Sequence, residues 1–156
     1  IGRRAAKQLG ISFKDSDQLI VKAAGISIAE IFELAGEVKF REMEQKTLGN
    51  LALASPQIIA TGGGAFCQGS TADLLLQHTL TIWLNASPAT LLSRIGNTKT
   101  RPLLHNVDPL ATLTRLDEQR AHLYKKAHIH INTDGLSSHT AMMALLHALD
   151  THLPRQ

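Results

Sequence analysis

Only one cysteine, Cys67, occurs in the 156 residues, so no internal disulfide can form and a reducing, cytoplasmic setting is expected. Aromatic residues make up 4% of the chain: one Trp, one Tyr and four Phe. The charge surplus is equally small, +3 at neutral pH, and its arginines form no continuous block. A nucleic-acid surface combines a basic patch with aromatic support, so nucleic acid is not an expected partner. Long apolar runs are missing as well. Leu51 to Ala54, Ile58 to Ala60 and Leu74 to Leu76 fall far short of the roughly 20 residues that cross a bilayer, so no membrane association is expected. A charged segment leading into an apolar export signal is not found at the start. Nor is there an initiator methionine: the chain opens on Ile1, and a fragment of a longer protein is expected.

What is present is an ordinary globular composition, 44% hydrophobic and 19% charged, at a length suited to one domain over residues 1–156. Short apolar runs alternate with longer amphipathic ones, the rhythm of an α/β fold with a parallel sheet. A helix is predicted over residues 1–9 with Gly10 as its stop. A strand near 12–14 delivers Asp15-Ser16-Asp17, where Asp17 is expected to cap a helix reaching about Ala24. Ser27 and Glu30 have capping-box spacing and predict a helix ending near Gly36, followed by a long helix over 37–54. Further strands are predicted at 57–61, 80–84 and 129–132, and further helices at 71–77, 87–95, 109–123 and 138–152. Residues 96–108 show no clear element, which suits a lid or binding loop.

Several groups along this frame carry chemistry. Asp15 and Asp17 lie where a strand ends, the usual ligand position in open α/β sheets, and one residue apart they can serve one polar site. Arg41 and Glu44 are three apart on a helix, so Glu44 can hold the guanidinium while Arg41 reaches a ligand carboxylate; an ordinary surface ion pair is the alternative. Gly62-Gly63-Gly64 follows an apolar strand, fitting a sharp bend or a backbone whose N–H groups meet a ligand. Arg101 falls in the suspected lid, from which an arginine can close over phosphates. Arg120, four residues before Tyr124, can supply a second carboxylate clamp. Eight histidines are present, but none has metal-site spacing.

In order and spacing, D-S-D, G-I-S-I-A-E-I-F-E-L-A-G-E-V-K-F-R-E-M-E, A-T-G-G-G-A, R-P-L-L and R-x-x-L-Y together resemble the shikimate kinase family along essentially the whole chain. The resemblance implies a nucleoside-monophosphate-kinase-like fold. Its parallel sheet, five-stranded in the family, has helices on both faces in three layers. It implies ATP-dependent phosphorylation of shikimate with Mg²⁺, as part of aromatic amino acid biosynthesis; a monomer is expected. By the same resemblance Asp17 binds the shikimate hydroxyls and helps deprotonate the attacking one, and Asp15 supports Mg²⁺ through water. Arg41 and Arg120 grip the carboxylate, with Glu44 bracing Arg41, and Gly62, Gly63 and Gly64 offer backbone N–H groups. Arg101 is the lid arginine near the transferred phosphate. Arg94 resembles the residue packing on adenine, and Asn132 and Thr133 open the adenine-loop segment. The substrate region is expected over about 15–55 and the lid over about 96–109.

Two departures stand out. His122 replaces a proline usual in the family. More consequentially, the family's phosphate loop, G-x-x-x-x-G-K-[ST], ends just before the position of Ile1, and the central strand preceding it is missing too. The 156 residues contain no Gly-Lys pair, so Gly62-Gly63-Gly64 cannot replace that loop. These 156 residues are therefore expected not to turn over ATP alone, and the sheet to have unpaired edges. A regulatory ligand-binding module on the same fold would have little need for the complete substrate set. A kinase for another small molecule such as gluconate would lack reason to share F-R-E-M-E and T-G-G-G.

Overall fold

The computed structural model describes residues 1–95 and 108–153. Its elements run α1 (Gly2–Leu9), β1 (Ser12–Asp15), α2 (Ser16–Ala24), α3 (Ile28–Ala52), β2 (Gln57–Ala60), a 3₁₀ turn (Ala65–Cys67), α4 (Gly69–His78), β3 (Ile82–Asn85), α5 (Pro88–Ile95), α6 (Pro109–Tyr124), β4 (Ile129–Asn132) and α7 (Ser138–His152). Local chemistry sets most of the boundaries. Gly10 ends α1 in the left-handed region at φ 68°, with its N–H returned to Ala6 and Lys7. Ser27 accepts from the Glu30 N–H, and the Glu30 carboxylate accepts from the Ser27 N–H, the predicted capping box. Gly36 interrupts α3 at φ 80°, ψ 170°, so the helical runs expected on either side of it meet at a kink.

One capping assignment is corrected. Asp15, not Asp17, caps α2: its Oδ1 accepts from the N–H groups of Asp17 and Gln18. The backbone is still extended at Asp15, whereas Asp17 already lies inside the first turn, so only Asp15 can reach back to those donors. That leaves the Asp17 carboxylate unused by the helix.

The strands form two parallel pairs. β1 pairs with β2 in the register Ser12–Gln57 to Asp15–Ala60, and β3 with β4 in the register Ile82–Ile129 to Asn85–Asn132. Helices cover opposite faces, as successive β2 residues show. Ile58 packs with Ala5, Ile131, Met142 and Leu145 on the side of α1 and α7. Ile59 packs with Leu48, Ala65 and Leu75 on the side of α3 and α4. The period of two along the strand thus separates two cores, which makes three layers. A third core of Ile20, Ile31 and Phe40 joins α2 to α3.

β2 and β3 are not hydrogen-bonded to each other. Between the pairs lies a cavity of about 870 Å³ lined by every residue of both strands, by Gly2 of α1 and by Leu145 and Leu149 of α7. Leu84, in the middle of β3, is 39% exposed.

Candidate functional site

All the candidate residues within the described part lie at or beyond the carboxyl ends of the parallel strands. The β1 and β2 ends carry Asp15, Asp17 and the glycine turn, and α3 and α6 bring Arg41 and Arg120 to them.

The three glycines are the meeting point. A methyl group added at Gly62 would lie 3.2 Å from both Asp17 carboxylate oxygens. One added at Gly63 would lie 3.5 Å from the Tyr124 hydroxyl and 3.7 Å from Arg120 Nη1. At Gly64 it would lie 2.6 Å from Arg41 Nη2 and 2.9 Å from Nη1. None of the three has positive φ. They are glycines because acidic, phenolic and basic side chains press against consecutive α-carbons, not because the turn is strained. The N–H groups of Gly63 and Gly64 have no acceptor among the described residues.

Arg41 is held from two sides. Its Nη1 donates to Glu44 at 2.7 Å, while Nε and Nη2 donate to Glu37 Oε1, each at 3.3 Å. Three of the five guanidinium donors are thereby committed, leaving two for a ligand carboxylate. Glu44 is 1% exposed and Glu37 62%. Burial pushes the Glu44 carboxyl up, with Arg41 opposing it. Burial alone would lower Arg41, but its hydrogen bonds to Glu44 and Glu37 and their charges raise it. Glu37 was not singled out from sequence. Its signal was the i,i+4 spacing to Arg41 in E-V-K-F-R, directly after the kink at Gly36.

Asp17 is raised by burial first and by the neighbouring Asp15 carboxylate second, with Arg41 pulling the other way. Its Oδ1 is buried without a hydrogen-bond partner, a condition that calls for a ligand donor. Asp15 spends Oδ1 on the helix cap, and its second oxygen makes no hydrogen bond among the described residues.

The β3 and β4 ends carry a second group. Arg94 on α5 donates from Nη1 to Thr133 Oγ1 at 2.8 Å, and from Nη2 to the Thr133 and Leu136 carbonyls at 2.5 and 3.2 Å. Thr133, 2% exposed, donates a hydrogen bond from its own hydroxyl to the Asn85 carbonyl. Asn132 accepts from the Asp134 N–H, and Asp134 in turn accepts from the Ser87 N–H and hydroxyl at the start of α5. Arg94, Asn132 and Thr133 are thus brought together, with Arg94 stapling the loop after β4. Arg101, and the expected lid apart from Asp108 and Pro109, lie outside the described residues. Asp108 caps α6 through the Leu110 and Ala111 N–H groups.

Residues 1–150 match the family described as shikimate kinase. The chain belongs to the shikimate kinase family. A shikimate kinase of Bartonella quintana is 38% identical over 153 residues, covering 98% of this chain and 73% of that protein. One from Ruegeria pomeroyi is 41% identical over 138 residues, covering 88% and 71%. Among solved structures, the shikimate kinase from Acinetobacter baumannii in complex with shikimate superposes with a TM-score of 0.88 at 35% identity. That match covers 98% of this chain and 87% of the other. The Bacteroides thetaiotaomicron shikimate kinase gives 0.87 at 27% identity, covering 96% and 89%. Family membership agrees with the three-layer parallel fold and with a phosphotransferase class. Among the described residues, no helix is long and apolar enough to cross a membrane.

Proposed function

We propose that this chain binds shikimate at the glycine turn and belongs to an ATP-dependent kinase that phosphorylates its 3-hydroxyl. The convergence of Asp17, Arg41 and Arg120 on Gly62, Gly63 and Gly64 carries this reading. Shikimate has a carboxylate at one end and ring hydroxyls at the other. Two arginines meet the first, and an unpartnered carboxylate with free backbone N–H groups meets the second.

Asp17 is the base. Burial and Asp15 raise it toward the range in which a carboxylate takes a proton from a hydroxyl as the hydroxyl attacks. The shikimate oxygen forms a bond to the γ-phosphorus, the bond from that phosphorus to the bridging oxygen breaks, and ADP leaves. Positioning and charge neutralisation do the rest, and the role proposed for Arg101 rests on its place in the R-P-L-L motif alone.

Mg²⁺, when bound, neutralises charge on the phosphates. No cluster of three or more His, Cys, Asp or Glu among the described residues could hold the ion alone. The free Asp15 oxygen suits a metal-bound water instead. ATP fits on the β3/β4 side, where Arg94 keeps its planar face for stacking on adenine while its edge holds the loop that begins at Asn132 and Thr133. The 156 residues work as one domain and a monomer, with substrate bound by residues 15–55 and a lid over 96–109. Lacking a Gly-Lys phosphate loop, they do not complete turnover alone.

The test is ADP release, with and without shikimate, from this chain joined to a segment carrying the phosphate loop. Shikimate-dependent release that Asp17→Asn abolishes supports the kinase. No release with shikimate still bound points to a non-catalytic binding module. Formation of shikimate 3-phosphate by the 156 residues alone overturns the claim that they need the loop.

A further inference from the structure

Tyr124 closes α6 one helical turn after Arg120, and both side chains reach the glycine turn. The Tyr124 hydroxyl donates to the Gly63 carbonyl, a contact spanning 61 residues of chain. Its ring lies 5.7 Å from that of Trp83 on β3, and Trp83 in turn lies edge-on to His130 on β4. The phenol is therefore fixed at one end by aromatic packing and at the other by a backbone carbonyl. Cys67 Sγ lies 3.9 Å from the hydroxyl and 3.7 Å from the same carbonyl, and the Arg120 guanidinium also adjoins the phenol oxygen. Burial first, and Cys67 second, push the phenol pKa up against the lowering effect of Arg120, so the group remains a protonated donor across the neutral range.

The contact bears on ligand binding through the geometry of the peptide bond. In a trans peptide, the carbonyl of one residue and the N–H of the next point in opposite directions. Fixing the Gly63 carbonyl toward Tyr124 therefore directs the Gly64 N–H away from α6. That N–H has no acceptor among the described residues, and Gly64 is the glycine against which Arg41 rests. Without the phenol, no donor among the described residues holds the Gly63 carbonyl except the weak thiol contact.

We infer that Tyr124 is a positioning residue for the acidic polyol substrate, orienting the Gly63–Gly64 peptide so that its N–H and the Arg41 guanidinium are presented together. The inference rests on the reading of the glycine turn as the shikimate site. It also makes Trp83, the only tryptophan, a built-in reporter of events at the turn.

Tyr124→Phe tests it, because the ring that packs on Trp83 is kept and only the hydroxyl is lost. The variant and its parent are titrated with shikimate by calorimetry, their thermal melts are compared, and the Gly64 amide is followed by NMR. The expected result is affinity lower by about tenfold, the size of one lost hydrogen bond to a held ligand group. The melt should stay close to the parent's, and the shift of the Gly64 amide on adding shikimate should be reduced. Unchanged affinity overturns the inference, as does a loss that only tracks a lower melting temperature. A parent that binds no shikimate overturns the reading of the site as well. If the variant does not fold, the parent alone decides: a Gly64 amide that does not respond to shikimate removes the role.

Discussion

Arg41 Nη1 and the Glu44 carboxylate meet at 2.7 Å, and Glu44 is almost fully enclosed while Arg41 keeps a fifth of its side chain open. The pair is therefore polarised: one partner is buried for support and the other is left partly free toward the glycine turn. Burial raises Glu44 even with Arg41 beside it. The bond thus serves to fix a direction more than to stabilise the fold, since enclosing a charge costs much of what the pairing returns.

Glu44→Gln should consequently separate stability from binding. A neutral amide keeps the shape but loses the charged hydrogen bond, so unfolding free energy should fall by about 1–3 kcal/mol, read by urea denaturation. Shikimate affinity should fall further than the same change at a surface pair would cause, because Arg41 loses its anchor. An affinity equal to the parent's would show that Glu37 alone suffices.

Glu37→Gln is the complementary change. Glu37 is 62% exposed and binds Arg41 at 3.3 Å, so its contribution should be that of a surface pair, roughly 0.2–1 kcal/mol. Shikimate binding should weaken by no more than about fivefold, with the larger part of the loss disappearing at high salt. A salt-independent loss would mean that Glu37 holds Arg41 more rigidly than an exposed carboxylate can.

The glycines should rank by what each α-carbon touches. Gly64→Ala puts a methyl group 2.6 Å from Arg41 Nη2, so the guanidinium must move and shikimate binding should drop most. Gly62→Ala crowds the Asp17 carboxylate at 3.2 Å and should be intermediate. Gly63→Ala meets Tyr124 and Arg120 at ordinary contact distance and should be mildest. Since φ is not positive at any of the three, thermal melts should change little in this series. A reversed order in shikimate affinity would refute the placement of these side chains.

Much of the frame was legible because its signals are local. The capping box at Ser27 and Glu30, the stop at Gly10 and the strand at Ile129–Asn132 depend on neighbours in sequence, and each appears as expected. The cap at Asp15 was misplaced by two residues because both aspartates fit the composition, and only the backbone angle decides which carboxylate reaches the free N–H groups. The 3₁₀ turn at Ala65–Cys67 carries no periodicity and was not foreseen. Tyr124 on Gly63 and Arg94 on Leu136 were also out of reach, being set by how distant elements pack. Sequence spacing identified which groups carry charge; tertiary packing decides which edges of those groups remain free.

Asp17→Asn brings function and stability into opposition. The folded protein raises the Asp17 pKa above its ordinary 3.8, by burial and then by Asp15, so the folded state holds that proton more tightly than the unfolded chain does. Below about 3.8 the acid is protonated in both states, and its favourable contribution is fully present. As pH rises through the raised folded value that contribution is lost, and at neutral pH an ionised, partly buried carboxylate with an unpartnered oxygen burdens the fold. Asparagine never ionises. At pH 7 the variant should melt a few degrees above the parent, and the gap should close as pH falls toward the ordinary carboxylate range. Its affinity for shikimate should drop by about tenfold or more, and with the phosphate loop supplied, turnover should fall at least about 100-fold, as for loss of a general base. Melts at several pH values, paired with shikimate titrations, check both halves. A variant less stable than the parent at pH 7 would mean that Asp17 is anchored by a contact other than those described, and that its carboxylate is not held in readiness for a substrate hydroxyl.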